Sequence, residues 1–533
     1  MQRNEMAPAW AGALAGLTAG GVALGIAQLV AGLVRPEASP VLAVGDSVVD
    51  LSPPPVVDFA KETFGVYDKP VLIAGVLVVL AGVAAAMGVL ARRRLAYGLL
   101  VLGGFAAIGL LAVLTRPDAG PLDALPALAG LVAGSWTLAW LVRRAAGRRG
   151  AWPSAGERGA RPTAGTPSGE PPSGAEPAGF DRRRLLTGVA GGVVVAGAAA
   201  VLGRQFGERQ AVHAARAGTA LPRPTTPARP IPAGADLRIS GLSSFITRNA
   251  DFYKIDTALI APQVDPNEWM LRIHGMVDRP VEVTYAELLR MPLTEADVTL
   301  ACVSNEVGGE LVGNARWLGV RMPDLLRRAG LQADADMLLS TSADGFTCGT
   351  PVDVVMDGRD ALFAVAMNGE VLPVDHGFPV RQVVPGLYGY VSATKWVVDI
   401  KVTRFDRDEA YWTPRGWSAK GPIKTQSRID VPKAGGSLKA GGTTIAGVAW
   451  AQHKGIDAVE VRVDRGEWRQ ATLAEVPGPD TWRQWSIDWD ATPGRHTLEV
   501  RATDATGYTQ TERQAPPAPD GATGWHTLTV EVA

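Results

Sequence analysis

The chain has 533 residues, a formal net charge of -1 and 47% hydrophobic residues, so two to four structural units are expected rather than one domain. Balanced charge gives no field that calls for nucleic acid. Only two cysteines, Cys302 and Cys348, are present, which excludes a disulfide scaffold, an iron–sulfur cluster and a cysteine-rich zinc site. The first of six histidines is His213, and no CxxCH occurs, so neither a bis-histidine haem in an apolar span nor a c-type haem is expected.

Five apolar stretches come first, at Trp10–Val34, Val71–Leu90, Leu95–Leu114, Ala124–Val142 and Leu185–Leu202. Each is close to the ~20 helical residues that cross a bilayer core, and the middle three carry no charge. Arg92, Arg93 and Arg94 follow the second span, and Arg143, Arg144, Arg148 and Arg149 follow the fourth. The segment Arg35–Pro70 is instead rich in proline and acid (Asp46, Asp50, Asp58, Glu62) and is expected to be a loop. The positive-inside rule then places the N-terminus in the cytoplasm and everything after about residue 205 outside the cytoplasmic membrane. The expected order is four transmembrane helices over 1–145, a disordered cytoplasmic linker over 146–181, and a fifth transmembrane helix over 182–204. Arg182-Arg183 before Leu185-Leu186 fits either an internal twin-arginine export signal or an ordinary basic flank.

A Pro-rich tether is expected over 205–235. From 236 to 426, short apolar runs alternate with turns and helix-like pieces such as Tyr285–Arg290 and Met322–Ala329, the pattern of a mixed α+β domain. From 427 to 533, period-two segments such as Val459-Glu-Val-Arg-Val predict an immunoglobulin-like β-sandwich.

Cys302 lies in Thr299-Leu-Ala-Cys-Val-Ser-Asn305, where a strand runs into a small polar turn followed by Gly308-Gly309. Local sequence leaves three readings: a buried structural cysteine, a disulfide with Cys348, or a thiolate metal ligand. Cys348 itself is expected to be a small packing residue. His376 and Arg381 have equally plain alternatives as a structural histidine and a surface ion pair, and Trp396 and Trp412 as core aromatics.

Across Gly241–Val532 an ordered set of motifs resembles the sulfite oxidase family of molybdopterin enzymes. It comprises Phe245-Ile-Thr-Arg-Asn249 with Phe252-Tyr253, the Cys302 segment, Ala315-Arg-Trp-Leu-Gly319, and Met367-Asn-Gly369 with Leu372-Pro373. Asp375-His-Gly-Phe-Pro-Val-Arg381, Val384-Pro-Gly386, Lys395-Trp396 and Tyr411-Trp412 complete it. The resemblance implies a molybdenum–molybdopterin cofactor, without haem or iron–sulfur cluster in this chain, and Cys302 as the one protein ligand to the metal. It implies that Arg248, Asn249, Asp344, His376, Arg381 and the Ala393-Thr394-Lys395 turn hold the pterin and its phosphate. It places Tyr411 near the metal as a donor and gives the C-terminal domain a role in homodimers, while Arg316 or Arg415 is expected to supply positive charge for substrate from elsewhere in the chain.

One departure stands out. Sulfite oxidases place paired arginines after the ligand cysteine, where this chain has Asn305-Glu306-Val307-Gly308-Gly309. A carboxylate there repels a sulfite anion by about 1–4 kcal/mol at ~4 Å. The expected activity is therefore two-electron oxygen-atom transfer on a small substrate, with an external quinone or redox protein as electron partner. A membrane-tethered binding or adhesion protein with a silent domain is the alternative, separated from the first by metal analysis.

Overall fold

The computed structural model describes residues 8–53, 56, 59, 63, 68–116, 119–145, 182–209 and 212–533. The expected linker at 146–181 lies outside them. The chain divides into two compact units, one up to residue 210 and the other from residue 211.

The first unit contains α1 (Ala9–Val34), α2 (Pro40–Leu51), α3 (Asp68–Ala91), α4 (Leu95–Leu114), α5 (Leu125–Ala145) and α6 (Arg182–Arg209). All but α2 contain a stretch long and apolar enough to cross a membrane. Helices pack in such surroundings by close backbone approach, which small residues permit. Accordingly, a Cβ added to Gly16 of α1 would lie 2.7 Å from the Gly88 nitrogen of α3, and one added to Gly32 would lie 2.1 Å from the Gly203 carbonyl oxygen of α6. The segment expected as a loop after Arg35 contains α2. Pro40 at its first position is preorganised for a helix start, and Ala43 packs with Ala112 and Val113 of α4. The connections around it are tied by Arg35 to Asp123 at 2.6 Å and by Arg116 to the Glu37 carbonyl at 2.8 Å.

The second unit opens with α7 (Val212–Gly218). Its first mixed region holds β1 (Met270–Gly275), β2 (Val281–Thr284), α8 (Tyr285–Leu288), β3 (Leu293–Ala301), β4 (Val312–Arg321) and α9 (Met322–Ala329). It continues with β5 (Met337–Ser342), β6 (Thr347–Pro351), α10 (Val352–Met356), β7 (Leu362–Met367), β8 (Glu370–Val371), β9 (Arg381–Val383), α11 (Gly389–Ser392) and β10 (Val397–Thr403). One sheet has the order β2-β1-β10-β5-β6, with β1 and β10 parallel. The other runs β3-β4-β7-β8, with β9 paired to β7. Both sheets contribute to one apolar core that includes Ile273, Ile400, Val298, Trp317 and Phe363.

The β-rich remainder comprises β11 (Gln426–Val431), β12 (Ser437–Leu438), β13 (Gly441–Trp450), β14 (Ile456–Val463), β15 (Arg469–Gln470), β16 (Thr472–Leu473), β17 (Arg483–Ala491), β18 (Gly494–Asp504) and β19 (His526–Val532). They form two sheets, β11-β13-β17-β16 and β12-β19-β18-β14-β15. Alternating inward residues, among them Ile445, Trp485, Val459, Val500 and Val530, fill one core. A third apolar cluster joins the two regions and contains Ala301, Val303, Tyr388, Trp450 and Trp482. Two hydrogen bonds cross the same seam, Gln452 Nε2 to the Thr299 carbonyl at 2.8 Å and Trp482 N–H to Thr299 Oγ1 at 2.7 Å. The β-rich region therefore packs on the strand that delivers Cys302.

Candidate active site

Cys302 follows the last residue of β3 and is 8% exposed. Its N–H donates to the Leu311 carbonyl at 2.9 Å, and its carbonyl accepts from Asn305 N–H at 3.1 Å. Asn305 Oδ1 accepts from Leu311 N–H at 2.8 Å, which closes a short loop around the thiol. Asn305 Nδ2 is buried without a hydrogen-bond partner among the described residues, an orphan donor in this loop. Cys302 and Cys348 are both free thiols, so the disulfide reading is excluded.

Arg381 starts β9 and is 5% exposed. Its guanidinium donates to the carbonyls of His376, Gln382 and Ala393 at 3.2–3.4 Å and lies 5.0 Å over the Trp317 ring. No carboxylate lies within salt-bridge distance of it among the described residues. Burial pulls its pKa down to about 10, with the nearby Tyr253 and Cys348 opposing the shift. A buried cation held by neutral acceptors is a place prepared for an anion.

His376 ends a short 3-10 turn after Pro373, and its Nε2 lies 2.9 Å from the Asn249 carbonyl. Burial, helped by the cations Arg381, Lys395 and Lys254, lowers its pKa to about 4 against the Asn249 contact. The ring is therefore neutral near pH 7, with Nε2–H donating to the carbonyl. Gly377, at φ +106°, lets these groups crowd together: a Cβ there would lie 3.0 Å from Arg381 Cβ and 3.1 Å from Lys395 Cα.

Lys395 Nζ pairs with Asp256 at 2.6 Å and donates to the Asp375 carbonyl at 3.0 Å. Thr394 is fully buried, with Oγ1 2.6 Å from Ser340 Oγ, and its carbonyl accepts from Gln382 N–H at 2.9 Å. The next residue but one, Trp396, has φ +48°, a conformation that costs a side-chain-bearing residue of order 1–3 kcal/mol. Its Nε1–H to the Val374 carbonyl at 2.9 Å helps hold it there. The Asp344 turn lies beside this segment through Ala343 N–H to the Trp396 carbonyl at 2.9 Å. Asn249 accepts from Asn368 Nδ2 at 2.8 Å and donates to Met367 and Glu370 at 3.3 Å. Arg248 is exposed and pairs with Asp251.

Arg381, His376, Asn249, Ala393, Thr394 and Lys395 are thus brought together around one neighbourhood. Arg316 is not. Its side chain is engaged by Asp297 on β3, five residues before Cys302, or about 16 Å along an extended strand. Its Nη2 also donates to the Arg229 carbonyl at 3.3 Å. The Pro-rich segment is itself docked on β3, with Thr225 and Thr226 N–H donating to the Leu293 carbonyl at 2.8 and 3.1 Å. Tyr411 packs against Phe346, Trp412 and Arg415, beside the strand that carries Cys348.

Other residues also belong to the neighbourhood. Tyr253 is buried, and burial together with a Cys302 thiolate raises its phenol well above the ordinary range, with Arg381 opposing. Tyr388 is raised to about 12, chiefly by burial, with smaller effects that include Asp520 and Cys302. Cys348 Sγ lies 3.9 Å from the Gly389 carbonyl, and burial raises this thiol to about 12 against hydrogen bonds from Thr394 and Ala393. It remains a neutral thiol. Tyr253 was visible in the Phe252-Tyr253 motif. Tyr388 and Gly389 carried no signal of their own, because the fold collects the neighbourhood from separated segments, while Cys348 had been expected only as a small packing residue.

The oxidoreductase molybdopterin binding domain family matches residues 258–412. The uncharacterized oxidoreductase YuiH of Bacillus subtilis (strain 168) is 32% identical over 157 residues, covering 30% of this chain and 76% of that protein. The chain belongs to the sulfite oxidase family of molybdopterin-binding oxidoreductases. Mitochondrial sulfite oxidase of Homo sapiens is 29% identical over 322 residues, 51% of this chain, and the chain spans 58% of that relative's length. The crystal structure of the sulfane dehydrogenase SoxCD from Paracoccus pantotrophus aligns at 25% identity and TM-score 0.47, covering 57% of this chain and 88% of that one. The buried guanidinium, the neutral imidazole and the orphan Asn305 amide fit the molybdopterin group of the sulfite oxidase family, which offers a phosphate and hydrogen-bonding ring edges.

Proposed function

We propose that this protein is a membrane-bound molybdenum-cofactor oxidoreductase acting on a small neutral or weakly charged oxygen donor or acceptor. The observation that carries the reading is Arg381: a buried guanidinium whose hydrogen-bond partners among the described residues are carbonyls, set close to the neutral His376 and the Ala393-Thr394-Lys395 turn. Arg381, Lys395 and this turn would hold the phosphate, with Arg248 and Asp344 at the edge of the site. His376 and Asn249 would meet the pterin, and Cys302 would be the protein ligand to molybdenum. Bound there, the cofactor supplies two-electron oxygen-atom transfer. Tyr253 is buried at this site, and burial keeps its phenol protonated. The binding-protein alternative gives no role to a buried cation without an anion, and we do not favour it.

Glu306 is exposed on the loop after Cys302 and adds negative charge where sulfite would need a cation. Arg316, held by Asp297, does not replace that cation. A comparison of kcat/KM for sulfite, a sulfoxide and nitrate on one preparation tests the proposal. The sulfoxide is expected to be favoured, and Glu306→Arg is expected to gain on sulfite. Sulfite oxidation by the unmodified protein in the range of about 10⁴–10⁸ M⁻¹s⁻¹ would refute it.

Electrons pass to or from a separate quinone or redox protein in this reading. Arginines 92–94 follow α3, Arg143 and Arg144 end α5, and Arg182–Arg184 begin α6, which supports a catalytic unit outside the cytoplasmic membrane. A C-terminal reporter fusion active only in the cytoplasm would contradict this. The β-rich region is read as an immunoglobulin-type sandwich and as the surface of a homodimer.

A further inference from the structure

The loop that follows Cys302 is closed from inside by Asn305, but what fixes it from outside belongs to the β-rich region. Arg428 of β11 is 7% exposed and donates from Nη1 to the Gly309 carbonyl at 2.8 Å. The same guanidinium donates from Nε to Asp430 at 2.6 Å and from Nη2 to Ser243 Oγ at 2.9 Å. Asp430 is 3% exposed and also accepts from Ser243 N–H at 3.0 Å. His526, at the start of β19, lies against the neighbouring glycine: a Cβ on Gly308, at φ +80°, would lie 2.3 Å from His526 Cδ2. The imidazole is itself held, because His526 Nδ1 accepts from Ile429 N–H at 2.9 Å.

The glycine pair therefore does more than provide room. Gly308 supplies a left-handed turn and a surface on which an imidazole seats, and Gly309 presents its carbonyl to a buried cation. A Cβ at Gly309 would also lie 2.6 Å from Asn305 Oδ1, the atom that closes the loop from inside. Inner and outer fastenings thus meet at two adjacent residues. A buried ion pair is a weak source of net stability, because desolvation offsets its attraction, but its geometry is exacting. Arg428 and Asp430 stand two apart on β11, and Asp430 sits at the irregularity between Ile429 and Val431 where the pairing with β13 shifts, so the ion pair is built into a local feature of that strand.

We infer that Arg428, fixed by Asp430 and seconded by His526, is a positioning residue for the Cys302–Leu311 loop. Through it the β-rich region sets where the Cys302 thiol, the Asn305 amide and the Glu306 carboxylate stand. The inference rests on the reading of Cys302 as the metal ligand, and it gives the β-rich region a part in the reaction centre of its own chain.

The test uses the full chain, loaded with cofactor, in detergent. Amide hydrogen exchange of residues 303–311 is measured together with the Mo(V) electron paramagnetic resonance spectrum. Removing one charge alone strands the other and endangers folding, so the decisive variant is Arg428→Met with Asp430→Leu, which removes both. Its loop amides are expected to exchange at least tenfold faster while those of β13 and β17 keep their wild-type rates, and the Mo(V) g-values are expected to shift. Arg428→Lys, which keeps the charge but not the forked reach, is expected to fall between. Wild-type exchange in the loop, a faster loop with a wild-type spectrum, or a uniform loosening of loop and strands alike would each overturn the proposal. Cys302→Ser with a wild-type Mo(V) spectrum would instead mark failure of the ligand reading, leaving loop exchange to judge the clamp.

Discussion

Arg316 and Asp297 face each other on β4 and β3, with Nε and Nη2 each donating at 2.8 Å to one oxygen of the same carboxylate. The Asp297 side chain is only 4% exposed, and Glu295 stands 3.7 Å from the same guanidinium. Removing the arginine leaves a nearly buried carboxylate without its cation. Arg316→Ala is therefore expected to cost about 2 kcal/mol of stability, since the arginine is partly solvated, and to leave kcat/KM within about twofold. Denaturation and steady-state kinetics on one preparation check both. A tenfold loss of kcat/KM in a folded variant would return Arg316 to the reaction.

Arg381 predicts the opposite pattern. In cofactor-free protein its charge is buried among carbonyls, so Arg381→Met removes a desolvated cation and is expected to leave thermal stability unchanged or raised. Cofactor retention is expected to fall about tenfold or more, because hydrogen bonds to a charged group contribute about 1.5–3 kcal/mol each. Molybdenum content per chain and the melting temperature of the cofactor-free form are the two readouts. A variant that loses stability but keeps its molybdenum would make Arg381 a structural residue.

Acid should weaken the catalytic unit through two histidines. Burial lowers both His376 and His526 to about 4, helped by Arg381 near the first and Arg428 near the second. An unfolded histidine titrates near 6.5, so between that pH and about 4 the unfolded state binds more protons than the folded one. Stability present above pH 6.5 is thus lost as pH falls toward 4, by roughly 3 kcal/mol for His376 and less for the half-buried His526. Urea midpoints at pH 7 and pH 4.5 should show the fall, and His376→Gln should reduce it. Equal losses in variant and wild type would contradict this assignment.

The five long apolar helices were legible because the core of a soluble domain rarely holds uncharged apolar runs of about 20 residues. Helix α2 was missed for a physical reason: Asp46 and Asp50 gave it the composition of a loop, whereas its apolar side docks on α4. Cys302, His376 and Arg381 stood out in the sequence because each lies in a compact motif, and the structure brings His376 and Arg381 together. The sequence did not show which way Arg316 points, because strand neighbours face opposite ways. Trp317 turns toward Arg381 and Phe252, and Arg316 turns toward Asp297 and the docked Pro-rich segment. The clamp of Arg428 and His526 on Gly309 and Gly308 was illegible, since about 120 residues separate the first pair and no local pattern links either.

The most direct test of the central claim is molybdenum analysis of the full-length protein, and of Cys302→Ser, purified from a host that makes the cofactor. About one molybdenum per wild-type chain is expected, with the metal's sulfur coordination seen by X-ray absorption reduced by one in the folded variant, where a hard hydroxyl replaces a soft thiolate. No molybdenum in the wild-type protein, or the same sulfur coordination in both proteins, would contradict it.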